Sequence, residues 1–155
     1  MNKFFKTVLL TSLLVGTTDL LYAIISISIG SGKFPYQMLN YMAGAALGLA
    51  TSMKGGTPVA FLGLLFHYII AFLYTLFFFI IFPHIKFLSF NKYLAGMLYG
   101  VFVNVSMNQL VLPLTLLPAK THPFNLTFAY LDWIIFGIIF GIPIAYNAYK
   151  LNNRS

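Results

Sequence analysis

Four polar side chains stand out in a chain that is otherwise apolar: Asp19, His67, Asn104 and Asn108. Each lies well inside a long hydrophobic run, where an unpaired polar group is expensive. An aspartate at mid-membrane costs at least ~2.5–3.5 kcal/mol when charged, so it is expected either to hold a proton or to pair with a basic neighbour. His67 is the natural partner, since imidazole gains and loses a proton near neutral pH. Asparagine cannot titrate, but it offers both donors and acceptors, so Asn104 and Asn108 could line a polar path beside such a pair. The chemistry these residues suggest is binding or passage of a proton or small solute. The bland reading uses the same four residues as interhelical hydrogen-bonding glue, at roughly 0.6 kcal/mol per bond.

The elements that would position them follow from composition. Of 155 residues, 60% are hydrophobic and 7% are charged, and the mean hydropathy is +0.89. Soluble domains average about 25% charged residues, so this chain lacks the charge to cover a water-facing surface and reads as an integral membrane protein. Four runs, at about 7–29, 58–82, 94–117 and 127–149, reach the ~20 residues needed to cross a hydrocarbon core. The second run opens at Thr57-Pro58 and stops at Pro83, which frames a helix with proline at its first position. The predicted fold is an all-α membrane protein: one bundle over residues 1–155, with four transmembrane helices and one short interfacial or re-entrant helix at about 37–53. Lys3 and Lys6 before an apolar core imitate a signal peptide, but the run continues to Ile29 and Leu21 occupies a position where cleavage wants a small residue, so the first span is expected to be retained.

Lys and Arg are biased to the cytoplasmic side. Four spans with a cytoplasmic N-terminus put Lys3, Lys6, Lys86, Lys92, Lys150 and Arg154 inside and Lys33, Lys54 and Lys120 outside, a split of six to three. A fifth crossing at 37–53 would make it four to five, so both termini are expected in the cytoplasm.

Helical spacing then places the polar residues. Ser12, Gly16, Asp19, Ala23, Ser26 and Gly30 form one stripe of the first span, which should face the bundle while Leu13, Leu14, Leu20 and Ile24 face lipid. Ala60, Gly63, His67, Ile70 and Tyr74 do the same in the second, and Gly96, Gly100, Asn104, Asn108 and Thr115 in the third. Counted at 1.5 Å per residue, Asp19, His67, Asn104 and Asn108 fall within about 6 Å of one depth. Pro113 and Pro143 each remove a backbone hydrogen bond, freeing the carbonyls of Gln109 and Ile139. Gly44 with Gly48, Gly96 with Gly100, and Gly137 with Gly141 offer close-contact faces for a homo-oligomer. Asp132 lies nearer the outer surface, between Tyr130 and Trp133, and reads as an interfacial group paired with Lys120 or His122.

Other chemistries lack their residues. There is no cysteine, so thiol catalysis and thiolate metal sites are out. No lysine lies deep in a span to form a Schiff base, and no HExxH occurs for zinc. Asp19 and Asp132 differ in depth, against a two-aspartate intramembrane protease. Ser106 with His67 has no recognisable nucleophile turn around it. No enzyme activity, cofactor or metal is expected. The net charge of +7 sits in short clusters beside apolar runs, which reads as topology and excludes a nucleic-acid surface. The bilayer is the expected partner.

GTTDLL around Asp19, FHYIIAF around His67, NVSMNQLVLPL in the third span and GIPIA in the fourth resemble small bacterial inner-membrane proteins of the YagU-like kind. The resemblance implies a bacterial inner-membrane location and, for those relatives, a loose association with acid resistance. It brings no reaction, cofactor or site residues. Two functions from different classes therefore stand open: a small channel- or transporter-like protein, proton-linked through the Asp/His/Asn cluster, and a structural or partner-binding membrane subunit.

Overall fold

The computed structural model describes residues 2–32, 35, 37–85, 91–118 and 126–153, with the side chains of 126–128 left aside. Helices α1 (Lys3–Ser31), α2 (Met38–Leu47), α3 (Leu49–Ser52), α4 (Gly56–Ile81), α5 (Lys92–Ser106), α6 (Leu126–Phe136) and α7 (Ile142–Asn152) account for most of these residues. Among the described residues there is no strand. Four stretches are long and apolar enough to cross a membrane: Lys3–Ser31, Gly56–His84, Lys92–Leu114 and Ala129–Asn152. They match the four expected spans within a few residues at each end. The chain is an all-α, multi-pass membrane protein.

The starts of two spans are set by asparagine. The Asn2 side chain accepts the Phe4 amide at 3.1 Å, and that of Asn91 accepts the amides of Tyr93 and Leu94 at 3.0 and 3.2 Å, covering donors that have no partner within the helix. Thr57 does not play this part: α4 begins at Gly56, with Gly55 as its uncapped N-terminal residue. Pro58 still falls in the first turn, where its missing N–H costs nothing. The far end matches expectation, since α4 gives way to a 3₁₀ turn, Phe82–His84, that contains Pro83.

Consecutive spans run antiparallel, as their contacts show. Phe4 meets Phe79 while Gly16 meets Tyr68, so α1 and α4 run in opposite directions. Phe78 meets Tyr99 at 4.5 Å between ring centroids, and Tyr74 reaches Ser106, so α4 and α5 do the same. Gly96 lies against Ile142, and Gly100 against Gly137. The fourth span closes back on the first, Thr18 reaching Ile139 and Tyr22 reaching Asp132. Both termini therefore lie at one end of the bundle.

Residues 37–53 do not cross. α2 has ten residues, about 15 Å of helix against the ~30 Å of a hydrocarbon core. It breaks at Gly48, whose φ of 76° and ψ of 146° suit glycine alone, and α3 turns back. Asn40, buried, fastens the turn by giving its two amide hydrogens to the carbonyls of Ser52 and Gly56, each at 3.0 Å. α2 lies on the first turns of α4 so closely that a methyl group on Gly63 would overlap the Leu39 carbonyl. The short helix thus folds back on itself at the end of the bundle opposite the termini.

Burial is uneven along the bundle. Val8, Val15, Phe78, Phe82, Tyr99, Phe140 and Ile144 form the main core, which occupies the half nearest the termini. On α1 the buried residues stop at Gly16. The predicted stripe is thus only half sealed: Ser12 and Gly16 are buried, Asp19 and Ala23 are half-buried, and Ser26 and Gly30 are exposed. The lipid-facing side also turns out slightly rotated. Leu13 and Leu14 are exposed as expected, but Leu20 and Ile24 are half-buried, and Leu10, Leu21 and Ile25 complete the outward row.

Two turns of π-helix, Met107–Val111 and Gly137–Gly141, interrupt the third and fourth spans. Each stands immediately before an x-Pro pair, Leu112-Pro113 and Ile142-Pro143. A proline ring presses on the carbonyl four residues back, and widening the preceding turn gives that carbonyl room without ending the helix.

Candidate functional site

Asp19 reaches the middle of the bundle because Gly16, one turn earlier, lets α4 come close. A methyl on Gly16 would sit 2.9 Å from the Tyr68 ring. The Tyr68 hydroxyl meets Thr17 Oγ1 at 2.9 Å, and His67 Nε2 lies 2.8 Å from the Gly16 carbonyl oxygen. A carbonyl only accepts, so Nε2 carries the hydrogen and Nδ1 is the ring nitrogen left to exchange a proton. His67 is close enough to act electrostatically on Asp19. His67 thus meets the first span one turn before Asp19, which brings two of the four predicted residues, from different spans, to one region of the bundle.

The asparagines are arranged differently. Asn108 Nδ2 donates to the Asn104 backbone oxygen at 2.9 Å and lies 3.4 Å from Asn104 Oδ1, so this pair is tied along its own helix, at the entrance to the first π-turn. Both are half-buried. What links α4 to α5 is a pair of tyrosines: Tyr99 donates to the Tyr74 carbonyl at 2.6 Å, and the Tyr74 hydroxyl meets Ser106 Oγ at 2.9 Å. Ser106 accordingly serves Tyr74 and the Val103 carbonyl, at 3.1 Å, in place of the imagined dyad with His67.

The carbonyl freed by Pro143 finds a partner on α1. Thr18 Oγ1 lies 3.3 Å from the Ile139 oxygen, as well as 3.2 and 3.0 Å from those of Leu14 and Val15. A hydroxyl has one hydrogen for these three acceptors, so the bond to the fourth span is shared with α1's own backbone.

Asp132 has a partner that the sequence reading did not name. Its described partner is Tyr22 on α1, whose hydroxyl donates to Oδ1 at 2.9 Å. Lys120 and His122, the expected partners, lie outside the described residues, as do Lys33, Lys86 and Arg154 of the charge count. Tyr22 also lies in the electrostatic reach of Asp19, with the Ser26 hydroxyl as a further hydrogen-bond partner. The spacing of Asp19, Tyr22 and Ser26, three and then four residues apart, was the available signal for this extension.

The glycine pairs correct an expectation. Methyl groups on Gly100 and Gly141 would overlap the backbones of Gly137 and Gly96, so the two pairs interlock inside the chain and leave no face for a second copy. Gly44 is likewise taken up by Leu117 and Ser52.

Fold and site together define a four-span helical membrane protein with a half-buried aspartate and histidine near one another on its first two spans. Set against known protein families, curated proteins and solved structures, the chain matches none of them.

Proposed function

We propose that this protein is a small channel- or transporter-like protein of the bacterial inner membrane, with both termini cytoplasmic, that moves a proton or a cation through the Asp19–His67 site. The observation that carries the reading is the fixed histidine. With Nε2 committed to Gly16, His67 is anchored one turn from the single aspartate of the first span, and Nδ1 is the ring nitrogen left open. A group used only to hold helices together gains nothing from being ionisable, and asparagine would do that at lower cost. The cytoplasmic location of the termini is supported by the six-to-three charge split, and the bacterial membrane by the resemblance to YagU-like proteins.

Reconstitution tests it. Vesicles containing the wild-type protein are expected to pass protons or a monovalent cation under a pH or potential gradient. Asp19→Asn, which keeps shape and hydrogen bonding but cannot titrate, should insert normally and lose the flux. Wild-type flux no greater than that of empty vesicles sinks the transport reading.

The second reading, a structural or partner-binding subunit, is favoured by the interlocked glycines and by the internal pairing of Thr18, Tyr74 and Ser106. It expects Asp19→Asn to be silent in every assay of function.

A further inference from the structure

The chain has only two acidic residues, and Tyr22 neighbours each in a different way. Its hydroxyl donates to Asp132 on α6 at 2.9 Å, while its own helix carries Asp19 one turn away on the same face. Asp132 is exposed and Asp19 is half-buried, so the series runs from the surface inwards. The other titratable groups on the elements around it are His67 and Tyr68 of α4 and Tyr130 of α6. His67 and Tyr68 face α1 through Gly16 and Thr17, and the Tyr130 ring packs edge-on against Trp133. Among the described residues the lysines nearest in sequence, Lys6 to Asp19 and Lys150 to Asp132, stand in the end turns of their helices, at the terminal end of the bundle.

We propose that Asp132 is the outer carboxylate of the Asp19 site, joined to it through Tyr22, so that a proton taken up at the surface is handed inwards across that hydroxyl. The proposal rests on the proton-linked reading above. The step balances without a further reagent. Ionised Asp132 takes a proton from water; the protonated carboxyl then passes it to the Tyr22 oxygen as the phenol gives its own hydrogen inwards to ionised Asp19. Tyr22 ends as it began, and one proton has moved from Asp132 to Asp19. The sequence reading of Asp132 as a bystander at the interface gives way to a role in the path.

Because there is no glutamate and only two aspartates, carbon-13 labelling of the aspartate carboxyls yields two signals. In lipid nanodiscs the Asp19 signal of the wild-type protein is expected to shift at the pH where the Asp132 signal titrates, as coupled groups do, and to lose that shift in Asp132→Asn while keeping any it shares with His67. The amide oxygen introduced by Asp132→Asn still accepts from Tyr22, so the interhelical bond, and with it a purely structural role, is preserved in that variant. Tyr22→Phe, which removes the hydroxyl and leaves both carboxylates, should reduce vesicle flux roughly 10²-fold, the lower end of what a positioned proton-transfer group contributes. An Asp19 titration curve that is the same in the wild-type protein and in Asp132→Asn overturns the link, and so does normal flux in Tyr22→Phe. The two failures are distinguishable: these results leave wild-type flux and its dependence on Asp19 standing, whereas an absence of wild-type flux removes the transport reading and with it the inward hand-over.

Discussion

At the scale of single residues, the test of the site is whether its members feel one another. Asp19 and His67 lie in one region of the bundle, so Asp19→Leu and His67→Leu should each lower thermal stability in detergent, and the double variant should lose less than the sum by about 0.5 kcal/mol or more. Asp19→Leu with Asn104→Leu should be additive, because Asn104 is held by Asn108 on its own helix. Additivity in the first pair, or coupling in the second, would redraw the site. His67→Gln makes a finer probe. The glutamine amide can replace Nε2–H as donor to the Gly16 carbonyl, so this variant should keep the stability that His67→Leu loses. The titratable residues were legible in the sequence because an ionisable group in an apolar run has few innocent explanations. Tyr22, Thr18 and Asn40 were not. Hydroxyl and amide groups of this kind acquire meaning only when the partner helix is known, and sequence spacing does not fix the partner.

At the scale of elements, glycine decides how near two helices come. Gly100→Ala places a methyl where the Gly137 backbone lies, so it should cost about 1–3 kcal/mol, the usual penalty of overpacking, in chemical or thermal unfolding. Gly30→Ala meets nothing within 4 Å and should be neutral or slightly stabilising. The turn between α2 and α4 offers a test of sign. Asn40→Ala removes two hydrogen bonds, while Asn40→Asp faces two carbonyl oxygens with a charged acceptor, so stability should fall from the wild type to Asn40→Ala and further to Asn40→Asp. Equal stability of the two variants would mean that the buried amide is not what fastens the turn. The spans themselves were readable from apolar length and proline, to within a few residues. Their interior was not: that Pro113 and Pro143 are each preceded by a π-turn depends on a widening of the backbone that no hydrophobic pattern encodes.

For the whole molecule, four antiparallel spans put both termini at one end, and the orientation proposed from the charge split puts that end in the cytoplasm. Since the chain has no cysteine, single replacements report position without background. Thr51→Cys, exposed on α3, should react with an impermeant thiol reagent in intact cells, and Lys150→Cys should react only after the membrane is opened. The reverse pattern inverts the protein and places the Asp132 mouth on the inner face. The number of spans was accessible from the sequence, since hydropathy acts over whole segments. The use of the glycine pairs was not. A small-residue face suits a neighbouring copy and a neighbouring span equally well, and only the folded chain distinguishes them.

The uneven core has a consequence for how the molecule breathes. Aromatic packing gathers Val8, Phe78, Phe82, Tyr99 and Ile144 at the terminal end, while beyond Gly16 the first helix is tied to the fourth span by one shared hydroxyl bond and one tyrosine–carboxylate bond. Opening free energies follow such differences in local packing. Deuterium from the medium should therefore enter the amides from Leu20 to Ser31 long before those from Val8 to Gly16, and the lifetimes along this one continuous helix should fall into two classes that meet near Asp19.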